Sequence, residues 1–199
     1  MRLRVLGPAD FRVMPWKDGG GVTTELRIHP EGATVAGGFE WRLSRATVAA
    51  SGPFSAFPGL DRSLAVLAGE LAVELEGREV AVLRPGSGVL AFSGDRPAAG
   101  RVLQGPVEDF NVITDRRRWR HTLHLWGPGP AAFPEAPIRA LIPRSGGATV
   151  EGVPVGPGEL LLAEGRGPLG GIVAGGALLV CLHPVEPLER PPEVRDSAS

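Results

Sequence analysis

DRSLAVLAGELAVELEG, residues 61–77, followed closely by VLRPGSGVLAF, residues 82–92, decides how this chain folds. Mostly apolar side chains occupy residues 63–68 and 71–76, each run about as long as a strand, and Gly69-Glu70 between them reads as a turn. Residues 79–83 and 88–92 continue the series, separated by Arg84-Pro85-Gly86-Ser87, whose residues accept turn geometry. Working upstream, FEWRLSRATV (residues 39–48) alternates: Phe39, Trp41 and Leu43 share one face, Glu40, Arg42 and Ser44 the other. Downstream, strands are predicted at residues 99–103 and 109–114, then at 119–125, 138–142, 148–153, 159–163 and 177–182. No long amphipathic helix interrupts them. Short, regularly spaced strands point to an all-β barrel or sandwich, and barrel closure would remove exposed edges. Pro85-Gly86 before residues 88–92 is echoed by Pro157-Gly158 before residues 159–162, which suggests two related β-modules.

The 199 residues are 43% apolar, enough for a substantial core, and the 29 glycines and 20 prolines are scattered as turn residues without a collagen-like period. A net charge of −1 gives no global field for nucleic acid or an anionic membrane, so neither is expected as a partner. Cys181 is the single cysteine, and the opening MRLRVLGPADF lacks the apolar core of a signal peptide; both suit a cytoplasmic protein. The apolar stretch over residues 170–182 is glycine-broken and too short to span a bilayer, and reads as buried strand. Residues 187–199 are polar and proline-rich and are expected to be disordered. Lys17 is the only lysine and Asn111 the only asparagine, against a background rich in arginine. Arginine's planar fork cannot replace a compact ammonium in a tight pocket, and aspartate cannot supply an amide donor.

The quoted pattern resembles the cupins, small double-stranded β-helix barrels. WKDGGGVTTEL, FEWRLSRATV, GPFSAFPGLDRSLAVLAG, FSGD and VEDFNVI, in this order, resemble the HutD/Ves family of bicupin proteins over about residues 14 to 125. The resemblance implies an all-β, RmlC-like bicupin: a first module over residues 1–125, a smaller second module over 126–186 and a tail over 187–199. It also implies an association with histidine degradation, in which a pathway intermediate is bound and the pathway restrained. Asp18 stands where the family commonly has asparagine, which keeps an acceptor and removes a donor.

Many cupins are metalloenzymes, but residues 52–69, where the first ligands would fall, contain no histidine. His29 and His183 lie far away in sequence, and His121 and His124 are three apart, on opposite faces of a strand. No metal and no cofactor are expected. Gly19-Gly20-Gly21 can present backbone N–H groups to an anion, with the Lys17 charge beside them, or can simply make a tight turn. Arg42 and Ser44 share a strand face, as do Asp109 and Asn111, and Arg62 enters a predicted strand. Buried charges need partners, so Arg42 with Asp109 or Arg62 with Glu25 could form an internal network, or the arginines could grip a carboxylate through paired N–H donors. Trp16 and Trp41 could wall such a pocket or belong to the core. Arg116-Arg117-Arg118-Trp119-Arg120 reads as a solvated turn.

Lys17, Gly19, Gly20, Gly21, Glu25, Arg42, Ser44, Arg62, Asp109 and Asn111 are therefore the candidate ligand-binding residues. The leading expectation is a regulatory binder of a small anionic metabolite, with formylglutamate or urocanate suggested by the family resemblance. A metal-independent isomerase, lyase or hydrolase using Lys17 with Glu25 or Asp109, and a structural or partner-binding barrel, are the alternatives. Bare cupin edges often pair, which makes a homodimer a candidate assembly.

Overall fold

Gly69 does not reverse the chain. In the structure, a computed structural model that describes residues 1–16 and 19–186, residues 60–75 run on as one long strand. Lys17, Asp18 and the proline-rich tail from residue 187 lie outside the described residues. The strands are β1 (Arg2–Leu6), β2 (Arg12–Pro15), β3 (Gly21–His29), β4 (Trp41–Val48), β5 (Gly52–Pro53), β6 (Leu60–Leu75), β7 (Arg78–Leu83), β8 (Leu90–Ser93) and β9 (Ala98–Asp115). They continue as β10 (Trp119–Trp126), β11 (Gly129–Ala132), β12 (Ile138–Pro143), β13 (Ala148–Val150), β14 (Val153–Val155), β15 (Leu160–Glu164), β16 (Gly170–Val173) and β17 (Ala177–Pro184).

The expected turn at Gly69-Glu70 is a bend instead. β6 pairs with β9 on both sides of it, with register shifts between Val66 and Leu71. Gly69 has φ of 76°, and a Cβ there would lie 2.5 Å from the Gln104 carbonyl oxygen. Only glycine tolerates both conditions, so the residue that looks like a turn lets two long strands bend together. For the same reason the predicted strands at residues 99–103 and 109–114 are the two halves of β9. The predicted strand over residues 148–153 is likewise a correction: β13 and β14 form a hairpin whose turn holds Glu151 at φ of 48° and Gly152 at 78°.

The bend places both halves of the long strands around one interior. Leu64 and Val66 from one half of β6 pack with Leu71, Val73 and Leu75 from the other, together with Ala46, Val48 and Val107. The eight-stranded sheet runs β2-β3-β4-β9-β6-β7, with β5 on β9 and β8 on β6. Its outer face, through Trp41, Leu43, Ala65, Phe110 and Val112, packs on a five-stranded sheet of order β1-β15-β12-β17-β10. The other face of that sheet, through Leu141, Leu161, Leu179 and Cys181, packs on the four-stranded sheet β11-β16-β13-β14. Burial on both faces explains why residues 177–182 and 160–163 are apolar without alternation. Strands β1 and β10, from the first 126 residues, pair with β15 and β17 of the second half.

The bend is testable against an ordinary turn glycine. Gly69→Ala should destabilise the protein by about 3 kcal/mol, a left-handed backbone penalty plus a clash. Gly77→Ala, at φ of 75° with nothing within 4 Å of its Cβ position, should lose only about 1 kcal/mol in the same denaturant titration. Equal losses would show that the close approach at Gly69 is not what bends the strand.

Candidate functional site

Strand alternation sets which residues face the interior of the eight-stranded sheet, and along β4 and β6 those residues run from polar (Arg42, Ser44; Arg62) to apolar (Ala46, Val48; Leu64, Val66). On β4, Trp41 and Leu43 face the inter-sheet core, so Arg42 and Ser44 face inward. On β9, Phe110 and Val112 take the core, which turns Asp109, Asn111 and Ile113 inward. Arg42 of β4 and Arg62 of β6 both pair with Ile113 of β9, so two arginines occupy one layer of the interior. A cavity of about 570 Å³ opens above this layer, and the loop between β5 and β6 contributes Phe54 and Phe57 to its wall.

Both arginines are almost completely buried, at 6% and 7% exposure, and each needs compensation. Arg42 Nε donates to Glu25 Oε2 at 2.7 Å, an ion pair across β3 and β4. Glu25 adjoins a bulge in β3 that shifts the register between Glu25 and Arg27. Arg62 Nε donates to Asn111 Oδ1 at 2.8 Å, and Asn111 Nδ2 donates to Asp109 Oδ1 at 2.6 Å. Asn111 thus stands between a cation and a carboxylate, accepting from one and donating to the other. Aspartate at 111 would lack the donor and set two carboxylates side by side.

Burial dominates the electrostatics of this relay. It raises the Asp109 carboxyl from its ordinary 3.8 to about 7, against the opposing pull of the Arg62 charge and the Asn111 hydrogen bond. It lowers the Arg62 guanidinium to about 10, with Asp109 opposing the shift and the Arg42 charge adding to it. Arg62 remains a cation at neutral pH. Its guanidinium carbon lies 4.8 Å from the Phe54 ring centre and 5.4 Å from that of Phe92, and aromatic faces favour a cation held there. The terminal nitrogens of Arg42 and Arg62 have no hydrogen-bond partner among the described residues.

The structure brings Arg42, Ser44, Arg62, Asp109 and Asn111 together in the cavity wall, with Glu25 behind Arg42. The expected pairings, Arg42 with Asp109 and Arg62 with Glu25, are not the ones formed: β4 lies between β3 and β9 and Arg42 reaches back to Glu25 of β3, while Arg62 reaches Asp109 only through Asn111. Gly19, Gly20 and Gly21 are not among the cavity-lining residues. The Gly19 N–H donates to the Trp16 carbonyl at 3.2 Å, and the Gly20 and Gly21 carbonyls accept from Ala49 and Trp16. A Cβ at Gly21 would lie 2.3 Å from the Thr47 carbonyl oxygen and 3.1 Å from the Trp16 ring, so this glycine permits a close approach. Trp16 is a cavity wall, its Nε1 held by Thr23 Oγ1 at 2.8 Å, whereas Trp41 is core and stacks on His29. Lys17 lies outside the described residues. Thr23, Phe54 and Phe57 are among the wall residues missing from the candidate set; two phenylalanines in a proline- and glycine-marked loop were the available signal for the last two.

A family model described as HutD matches residues 8–165. An uncharacterised 21.2 kDa protein in the hutC 3′ region of Pseudomonas putida is 38% identical over 130 residues, 64% of this chain and 66% of that protein. Protein Ves of Escherichia fergusonii is 32% identical over 114 residues, 53% of this chain and 56% of its own. The matches therefore span just under two thirds and just over half of those curated relatives. The solved structure of HutD from Pseudomonas fluorescens SBW25 (formate condition) superposes with a TM-score of 0.81 at 31% identity, covering 93% of this chain and 100% of that one. A cupin 2 conserved barrel domain protein from Leptotrichia buccalis, 12% identical with a TM-score of 0.56 over 86% of this chain and 92% of its own, shares the fold alone. The fold is all-β and cupin-like, and the chain belongs to the HutD family.

Proposed function

We propose that this protein is a binder of a small carboxylate metabolite, with a regulatory role linked to histidine utilisation. One observation carries the reading: two buried guanidinium groups end in a cavity with their terminal nitrogens unpartnered among the described residues. A carboxylate offers two oxygens at the spacing of a guanidinium's paired donors, and both guanidinium groups line the cavity where such a ligand would sit. The Trp16, Phe54 and Phe57 walls suit the apolar body of such a ligand. Formylglutamate and urocanate are the first acids to try, and the description of the P. putida relative by its hutC 3′ region supports that choice. Lys17, next in sequence to Trp16, is proposed as a further cationic contact.

Asp109 supports a second reading, a metal-independent enzyme. A carboxyl group with its pKa near 7 beside a ligand cavity can exchange protons at physiological pH. Recovery of every bound acid chemically unchanged after long incubation rejects that reading and leaves the binding role intact.

Thermal unfolding against a panel of histidine-pathway acids tests the binding role. A ligand at 100 times its Kd should stabilise the native protein by about 2.7 kcal/mol. Arg62→Met keeps the stem beside Phe54 and Phe92 and removes the donors, so it should abolish that shift while the variant stays folded. No shift with any acid, or an undiminished shift in Arg62→Met, overturns the proposal.

The same site predicts a pH dependence. An anion on Arg62 favours the neutral form of Asp109, so binding takes up a proton and affinity falls as pH rises through about 7. Calorimetric titrations should show carboxylate affinity about tenfold weaker at pH 8 than at pH 6, and Asp109→Asn should remove most of that slope.

A further inference from the structure

Arg116-Arg117-Arg118-Trp119-Arg120 is expected to be a solvated turn, and most of it is tied down. Arg116 pairs with Asp61 at 3.0 Å and Asp95 at 2.6 Å, and also donates to Ser93 Oγ and the Leu60 carbonyl. Arg117 pairs with Asp115, and Arg118 with Glu40 and Asp115. Arg120 differs: it is exposed, and its side chain has neither an ion pair nor a hydrogen bond among the described residues.

Arg120 borders a second cavity of about 570 Å³, formed where β6, β8 and β9 meet β10. Its polar wall contains Asp61, Ser63, Thr114, Arg116 and His121. His121 bridges the two sheets, with Nδ1 2.8 Å from Thr114 Oγ1 and Nε2 2.9 Å from Ser63 Oγ. Burial pushes the imidazole down to about 4, with the Asp61 charge acting against the shift, so at neutral pH the ring has one donor and one acceptor nitrogen. Arg62, the cation of the first cavity, also lines this one. Three guanidinium groups therefore border the space: Arg116 is matched by Asp61 and Asp95, Arg62 is linked through Asn111 to Asp109, and Arg120 is unmatched. A concave surface with an unmatched cation at its border and fixed polar groups offers an anion a local partner even in a protein whose net charge is −1.

We propose that this second cavity is a separate binding site for a small oxyanion, a carboxylate or phosphate group, with the Arg120 guanidinium as its principal charge and the Ser63–His121 pair as its polar wall. The charge-assisted bonds of the guanidinium supply the attraction; with Thr114 donating to His121 Nδ1 and His121 Nε2 donating to Ser63 Oγ, the Ser63 hydroxyl keeps its own proton to donate to the ion.

Inorganic phosphate and acetate, titrated separately into the full chain, test this through the imidazole NMR resonances of its four histidines. At least one ion should shift the His121 resonances along a saturable curve. Arg120→Ala should weaken that binding about tenfold or more, with Arg120→Lys intermediate. Arg78→Ala, which removes the same charge from the exposed start of β7, should leave it unchanged. Tighter phosphate binding would identify phosphorylated ligands, and tighter acetate binding carboxylates. No saturable shift at His121 overturns the proposal, as does equal weakening by Arg78→Ala and Arg120→Ala, which would mean non-specific charge screening. Because Arg120 is exposed, its variants should keep the native spectrum elsewhere, so loss of the His121 response reports on the site.

Discussion

Two like charges held out of water in one layer of a β-sheet interior govern the rest of the candidate site. Arg42 and Arg62 each pair with Ile113 from opposite sides, and the charge of Arg42 lowers the pKa of Arg62. Isolated buried cations would be severely destabilising, so the neighbouring strands must supply anions or oriented dipoles. They do so unequally. Arg42 receives a carboxylate directly, whereas Arg62 receives an amide oxygen with a carboxyl group one step further away. The unequal arrangement leaves Arg62 less fully compensated, and its position in the walls of both cavities gives that charge somewhere to act.

This arrangement was partly legible in the sequence because a strand has a period of two. Alternation in residues 39–48 places Arg42 and Ser44 together opposite Trp41 and Leu43, and the same logic pairs Asp109 with Asn111. Pairing between strands was not legible. Whether Arg42 meets Glu25 or Asp109 depends on strand order and on the bulge beside Glu25, which no local pattern records. Gly69 shows the same limit: an apolar run, a glycine and another apolar run describe a hairpin and a bent strand equally well. What separates them is the carbonyl of Gln104, 35 positions away in the chain and 2.5 Å from the Cβ that Gly69 lacks. The uniqueness of Asn111 was a better guide, because a group that must accept from a guanidinium and donate to a carboxylate has few substitutes.

A polar, partly compensated interior weakens the barrel that contains it, and the layered architecture offsets that loss elsewhere. The five-stranded sheet is buried on both faces, with Leu160, Leu162, Leu178 and Val180 on one side and Leu161, Ala163, Leu179 and Cys181 on the other. Its first partner is the outer face of the strands whose inner faces form the site: Trp41 lies beside Arg42, and Phe110 and Val112 flank Asn111. Arg42, Asp109 and Asn111 are therefore each held by at least one chain neighbour packed in a dry core, which restricts how far these groups can move, whereas Asp61 and Ser63, the neighbours of Arg62, line the second cavity. The chain's second half thus has a physical role in the site without contributing a side chain to the first cavity's described wall. It fixes the backbone from which Arg42, Asp109 and Asn111 project, and so lets the chain keep a cavity that is polar, preorganised and only partly satisfied from within.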